Sequence, residues 1–143
     1  MRIADVLRRK GSAVVTVQPT TTVSELLGVM SEYNIGAVVV LDGDRVIGIV
    51  SERDVVRRLH ERGARLLDQP VSEIMTAAVI TCTPSDTVDS LTVTMTERRI
   101  RHLPVLIEGQ LAGIVSIGDV VKSRINQLEE DQELLESYIT QGR

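Results

Sequence analysis

The chain has 143 residues and a net charge of −4, with no Phe, no Trp and only Tyr33 and Tyr138; that is enough for one compact domain burying roughly two-thirds of its unfolded surface. The acidic balance and the missing aromatic platforms argue against nucleic acid as a partner. With a single cysteine, Cys82, two histidines and no metal-ligand spacing of carboxylates, internal disulfides are excluded and nucleophilic or metal-assisted catalysis has almost no raw material.

Met1 to Lys10 lacks the continuous apolar stretch of a leader, and no run approaches the roughly 18 residues of a membrane span. The expectation is a cytoplasmic protein that does not insert into membranes. Ile3 to Leu7 reads as a small helical entry and Val14 to Val17 as a short strand. Pro19 then breaks the chain before Thr22, which with Glu25 matches a capping box opening a helix that carries Val23, Leu26, Leu27 and Met30. Ala37 to Leu41 and Val46 to Val50 are apolar runs either side of Asp42-Gly43-Asp44, a hairpin signal. Ser51 is the expected N-cap of the next helix, which runs through Val55, Val56 and Leu59 to Gly63.

Ala64 to Pro70 is a connection too short for a flexible tether. Val71 to Met75 resembles Ile3 to Leu7, and from Val79 the whole pattern returns. A shift of 65 positions carries Thr16, Pro19, Thr22, Leu26, Met30, Gly48, Ser51 and Asp54 onto Thr81, Pro84, Thr87, Leu91, Met95, Gly113, Ser116 and Asp119 without a gap. The second hairpin turns at Glu108-Gly109, and Cys82 falls in the repeated strand, where a thiol behaves as a small hydrophobe. Only two copies exist, so this is a duplicated subdomain rather than an open array. Past Asp119 the helical pattern continues, with Val121, Ile125, Leu128, Leu135 and Ile139 on one face and Glu129, Glu130, Asp131, Glu133 and Glu136 largely on the other. That stripe needs a cover, either the chain's own domain or a second copy.

The residues that decide the reading are the two copies of Gly-Ile-Val-Ser-x-x-Asp-Val-Val, Gly48 to Val56 and Gly113 to Val121. Each follows an apolar strand inside a strand-helix-strand-strand-helix unit. Nearly the whole chain thereby resembles a tandem pair of CBS domains, the Bateman module that binds adenosine-containing ligands. The resemblance implies an α+β fold of two CBS repeats packed with pseudo-twofold symmetry, repeat 1 at 8–63, repeat 2 at 71–128 and a helical tail at 129–143, all one module over 1–143. Asp54 and Asp119 are equally legible as carboxylates favoured by a helix start, and Ser51 and Ser116 as ordinary caps. In the resembling modules the Asp takes the ribose hydroxyls and the helix start faces a phosphate.

Carried over residue by residue, the resemblance joins Ser51, Arg53 and Asp54 to Ala78, Ile80, Ile100, Arg101 and His102 in one cleft. It joins Ser116 and Asp119 to Ala13, Val15, Ile35, Gly36 and Ala37 in the other. The first cleft gathers Arg53, Arg101 and His102, so it is expected to prefer AMP, ADP or ATP, with NAD or S-adenosylmethionine as further adenosyl ligands. The second has Gly36, Ala37 and Gly118 at the matching positions and is expected to bind weakly, to hold a ligand whose phosphate is satisfied elsewhere, or to stay empty. Arg98 and Arg99 read as a solvated basic helix end, and His60 as a surface residue. The function implied is a non-enzymatic, stand-alone regulatory module for energy or redox sensing, acting as a homodimer on a separate partner; Val55, Val56, Leu59 and Val120 are the apolar positions expected to meet the second copy. The alternatives are an interaction scaffold with vestigial clefts, betrayed by silence toward every adenosine ligand and loss of dimer on truncation after Ile125, and an enzyme, betrayed by turnover of AMP or NAD.

Overall fold

A computed structural model describes residues 1–141; Gly142 and Arg143, the end of the expected tail, lie outside the described residues. In chain order the elements are α1 (Ile3–Lys10), β1 (Thr16–Val17), α2 (Val23–Tyr33), β2 (Ala37–Asp42), β3 (Arg45–Ser51), α3 (Glu52–Arg62), α4 (Val88–Arg98), β4 (His102–Ile107), β5 (Gln110–Ser116) and α5 (Ile117–Gln141), with short 3-10 turns at Gly63–Asp68 and Val71–Glu73. The mixed helix and strand content and the duplicated order give the α+β pair of repeats expected from sequence. The copies agree down to their irregularities. Both hairpins are antiparallel and slip register at matching places, between Val40 and Leu41 and between Val105 and Leu106.

The first sheet has β1 parallel to β2 and β2 antiparallel to β3, whereas the second has only β4 and β5. The strand expected from Val79 is reduced to one parallel bridge, Cys82 to Val105, in which the Cys82 N–H donates to the Pro104 carbonyl at 3.0 Å and the Leu106 N–H to the Cys82 carbonyl at 2.9 Å. The cause is Pro104. The next bond of a parallel ladder would run from its missing N–H to Ile80, whereas the matching residue of the first sheet, Val39, has an N–H to give. The first strand is also shorter than read, Thr16–Val17 rather than Val14 to Val17.

Thr22 caps α2 as expected, accepting the Glu25 N–H at 3.1 Å, but the box does not close: the Glu25 carboxylate instead accepts the Thr22 hydroxyl at 3.0 Å. Two cores form, one beneath each sheet, and each borrows its lid from the other half's leading segment. Ile3 and Val6 of α1 lie in the second core with Leu91, Leu103, Val105 and Val115. Val71 and Ile74 lie in the first core with Leu26, Val38, Val40 and Val50. The exchange explains the glycine in each repeated motif: a Cβ at Gly48 would collide with Met75, and one at Gly113 with Leu7.

Val55 and Val120, expected to face a second copy, instead point inward at 6% and 3% exposure, because the motif helices lay those positions on their own sheets. Val56 and Leu59 remain exposed. So do Val121, Ile125, Leu128, Leu135 and Ile139 along α5, so the chain's own domain does not cover the tail stripe. Among the described residues no helix is long and apolar enough to cross a membrane.

Candidate functional site

Ser51 ends β3 and caps α3, and its cap is reciprocal. The Ser51 N–H and hydroxyl both donate to Asp54 Oδ2, at 2.8 and 3.1 Å, while Ser51 Oγ accepts the Asp54 N–H at 3.4 Å. The carboxylate is thus fixed by the helix start, and among the described residues nothing engages its Oδ1 and no cation pairs with it. In front of it opens a cleft of about 370 Å³, within the range of small-molecule sites.

One wall of that cleft is α3, with Arg53, Asp54 and Arg57; the other comes from the second half, with Arg99, Ile100, Arg101 and His102. Ser51, Arg53, Asp54, Ile100, Arg101 and His102 are therefore brought together as the sequence reading grouped them. Gly36 and Ala37, grouped there with Asp119, also border this cleft. Strand pairing is the reason: Ala37 lies opposite Ser51, and the Gly36 carbonyl accepts the Glu52 N–H at 3.0 Å, which ties both to the start of α3. Ala78 and Ile80 are not on the lining; Ala78 is exposed and Ile80 packs on the second core, while Thr76 supplies the wall in their place.

The sequence reading missed Ile49, Glu52, Arg57, Thr76 and Arg99 on the lining. Arg57 was findable, since a residue four after Arg53 shares its helix face. Arg99, a solvated basic helix end by sequence, instead lines the cleft: it caps α4 in the left-handed region at φ 54°, the turn that leads straight into Ile100 and Arg101. Four guanidiniums thus face two carboxylates, Glu52 and Asp54. His102 adds no charge at neutral pH, because burial first, then Lys10 and Arg101, outweigh the nearby Asp119 and Glu52 carboxylates and push its pKa below 6.5. A histidine held neutral by the fold lowers stability as soon as the unfolded chain begins to protonate. Melting temperature should therefore decline as pH drops below 6.5, and His102→Gln should flatten that stretch of the profile; an unchanged profile would refute the burial argument.

Around Asp119 the same cap recurs. The Ser116 N–H and hydroxyl donate to Asp119 Oδ2 at 2.8 and 3.0 Å, and Ser116 Oγ accepts the Asp119 N–H at 3.1 Å. Here a cation is already seated: Lys10 Nζ, from the last residue of α1, lies 2.6 Å from Asp119 Oδ2 and donates to the Ile114 carbonyl at 2.8 Å. Burial pushes the Asp119 carboxyl up, but the Lys10 ammonium and the Ser116 donors outweigh it, so its pKa lies below 3.8. Of the residues grouped with Asp119 from sequence, Ile35 packs on the first core, Val15 is half-buried and Ala13 is exposed. Cys82 is buried, its thiol pushed up to about 12 by desolvation and by Asp86, which makes it an inert core side chain. Among the described residues no three His, Cys, Asp or Glu side chains gather as metal ligands.

A family model for the CBS domain matches the chain twice, over residues 3–61 and 71–126. Among solved structures, a CBS-domain containing protein from Agrobacterium tumefaciens is 47% identical with a TM-score of 0.85, the alignment covering 87% of this chain and 99% of that one. A putative signal-transduction protein with CBS domains from Burkholderia ambifaria is 44% identical with a TM-score of 0.82, covering 88% and 95% respectively. Among curated relatives, a mitochondrial CBS domain-containing protein of Arabidopsis thaliana is 34% identical over 149 residues, covering 98% of this chain and 72% of its own length.

Proposed function

The chain belongs to the CBS-domain family, and from that premise we propose that it is a regulatory adenine-nucleotide sensor: AMP or ADP binds in the Asp54 cleft, and a homodimer relays the occupancy to a separate partner. The observation that carries the reading is the pairing of a fixed carboxylate, one oxygen of which is unengaged, with a wall of Arg53, Arg57, Arg99 and Arg101. An Oδ1 acceptor suits a ribose diol, and guanidinium forks suit phosphate oxygens. Arg57 and Arg99 enlarge the basic wall beyond the two arginines read from sequence, which favours a di- or triphosphate as much as AMP. The relation to a putative signal-transduction protein is in keeping with a regulatory role. The exposed apolar faces of α3 and α5 are the surfaces this reading gives to the second copy.

A thermal-shift panel of AMP, ADP, ATP, NAD and S-adenosylmethionine tests it. A ligand present at about 100 times its dissociation constant should stabilise the fold by about 2.7 kcal/mol, a rise of roughly 8 °C for a domain this size. Phosphorylated adenosines should lead the panel. No shift from any of the five would leave the scaffold reading, in which the acidic amphipathic tail makes the contacts.

A further inference from the structure

We propose that Lys10 latches the Asp119 cleft, so that the chain carries one open adenosine site and one closed by its own ammonium. The inference rests on the sensor reading above and goes on to its stoichiometry. The two helix starts are built alike, each with a Ser hydroxyl and amide on Asp Oδ2. They differ in what else touches the carboxylate: nothing does so at Asp54 among the described residues, whereas Lys10 Nζ sits 2.6 Å from Asp119. The 68-residue offset that carries Ile3 onto Val71 carries Lys10 onto Ala78, which has no cation to offer.

The backbone explains how the difference arose. In the first repeat the Ile49 carbonyl accepts the Thr76 N–H at 2.9 Å, because the chain leaves its 3-10 turn and meets β3 in one antiparallel bridge. In the second, α1 stays helical to Lys10, so among the described residues no backbone N–H reaches the equivalent Ile114 carbonyl and the Lys10 ammonium takes that bond at 2.8 Å. Lys10 is therefore held at two points, on a β5 carbonyl and on the carboxylate, with the two side chains at 31% and 20% exposure. A ribose diol entering there has to displace a charge-assisted hydrogen bond already formed. By sequence correspondence Gly36, Ala37 and Gly118 stand where the other cleft has Arg101, His102 and Arg53; Arg101 and His102 are tied to the start of α5 by their own strand pairing, the Arg101 carbonyl accepting the Ile117 N–H at 2.8 Å.

The test is titration calorimetry of the full chain with adenosine, a probe without phosphate, alongside AMP. Wild type should bind one equivalent, and Asp54→Ala none. Adding Lys10→Ala to Asp54→Ala should raise the stoichiometry from none back to one adenosine site, and Asp119→Ala should remove it again. Lys10→Gln, whose amide still donates to the Ile114 carbonyl, repeats the test with that backbone bond kept, and melting curves verify that each variant is folded. If wild type binds two equivalents and Asp54→Ala still one, which Asp119→Ala removes, the latch is overturned and the sensor reading stands. If folded Lys10 variants gain no site while wild type binds one, Lys10 is a structural ion pair only. If neither wild type nor the Lys10 variants bind AMP or adenosine, the sensor reading itself fails.

Discussion

Asp54→Ala should abolish the stabilisation by AMP or ADP that the wild-type chain enjoys. Hydrogen bonds to a charged acceptor contribute about 1.5–3 kcal/mol each, and a ribose diol left facing alanine loses up to two of them. A loss of about 3 kcal/mol weakens binding roughly 100-fold. A ligand held at about 100 times the wild-type dissociation constant would then sit near that of the variant and stabilise it by only about 0.4 kcal/mol. Basal stability falls too, by about 1 kcal/mol, because Asp54 closes the reciprocal cap with Ser51. The readout is therefore the ligand-induced shift rather than the melting temperature itself. Thr22→Ala, which removes the cap of α2, is the control, since it should lower the basal value by a similar amount and leave the shift intact. An undiminished shift in Asp54→Ala would place the ligand elsewhere.

Much of this architecture is legible in the residues because it is written twice. Asp42-Gly43-Asp44 and Glu108-Gly109 announce hairpins, Ser51 and Ser116 announce helix starts, and the matched spacing makes each half evidence for the other. What escapes the pattern is whatever differs between the copies. Pro104 deletes a donor from the second sheet, a loss visible only once its ladder partner is known. Lys10 reads as the basic end of a short helix until α1 is placed against β5, since no periodicity links residue 10 to residue 119. Likewise, apolar spacing marks Val55 and Val56 alike as interior or interface, and only the pitch of α3 on its sheet separates the buried from the exposed one. The grouping of Gly36 and Ala37 with the Asp119 cleft reflects a similar gap: the pairing of β2 with β3 sets a residue at the start of β2 beside its own helix start.

The exchanged lids carry the second large prediction. A helix of eight residues near a chain terminus is ordinarily a fraying appendage, and a side-chain truncation at its first residue would be expected to cost little. Here Ile3 is fully buried in the core of the second half. Backbone bonds hold it there: the Ile3 N–H donates to the Asp86 carbonyl at 2.9 Å, the Ala4 N–H to Pro84 at 3.0 Å, and the Val88 N–H to Met1 at 3.0 Å. The same weave ties the Val71 N–H to the Thr21 carbonyl at 2.8 Å in the other half. Ile3→Ala should therefore behave as a core truncation, destabilising the fold by about 3 kcal/mol. With a urea dependence of about 2 kcal/mol per molar, the unfolding midpoint should fall by about 1.5 M at unchanged slope. Val93→Ala, on α4 at a position 54% exposed and outside the faces given to the second copy, should move stability by no more than about 0.5 kcal/mol. Each half, at about half of an already modest domain, is marginal by itself, so loss of the Ile3 lid should unfold both in one transition. A shift no larger than that of Val93→Ala would mean that α1 contributes nothing to the second core, and the exchange of lids between repeats would have to be abandoned.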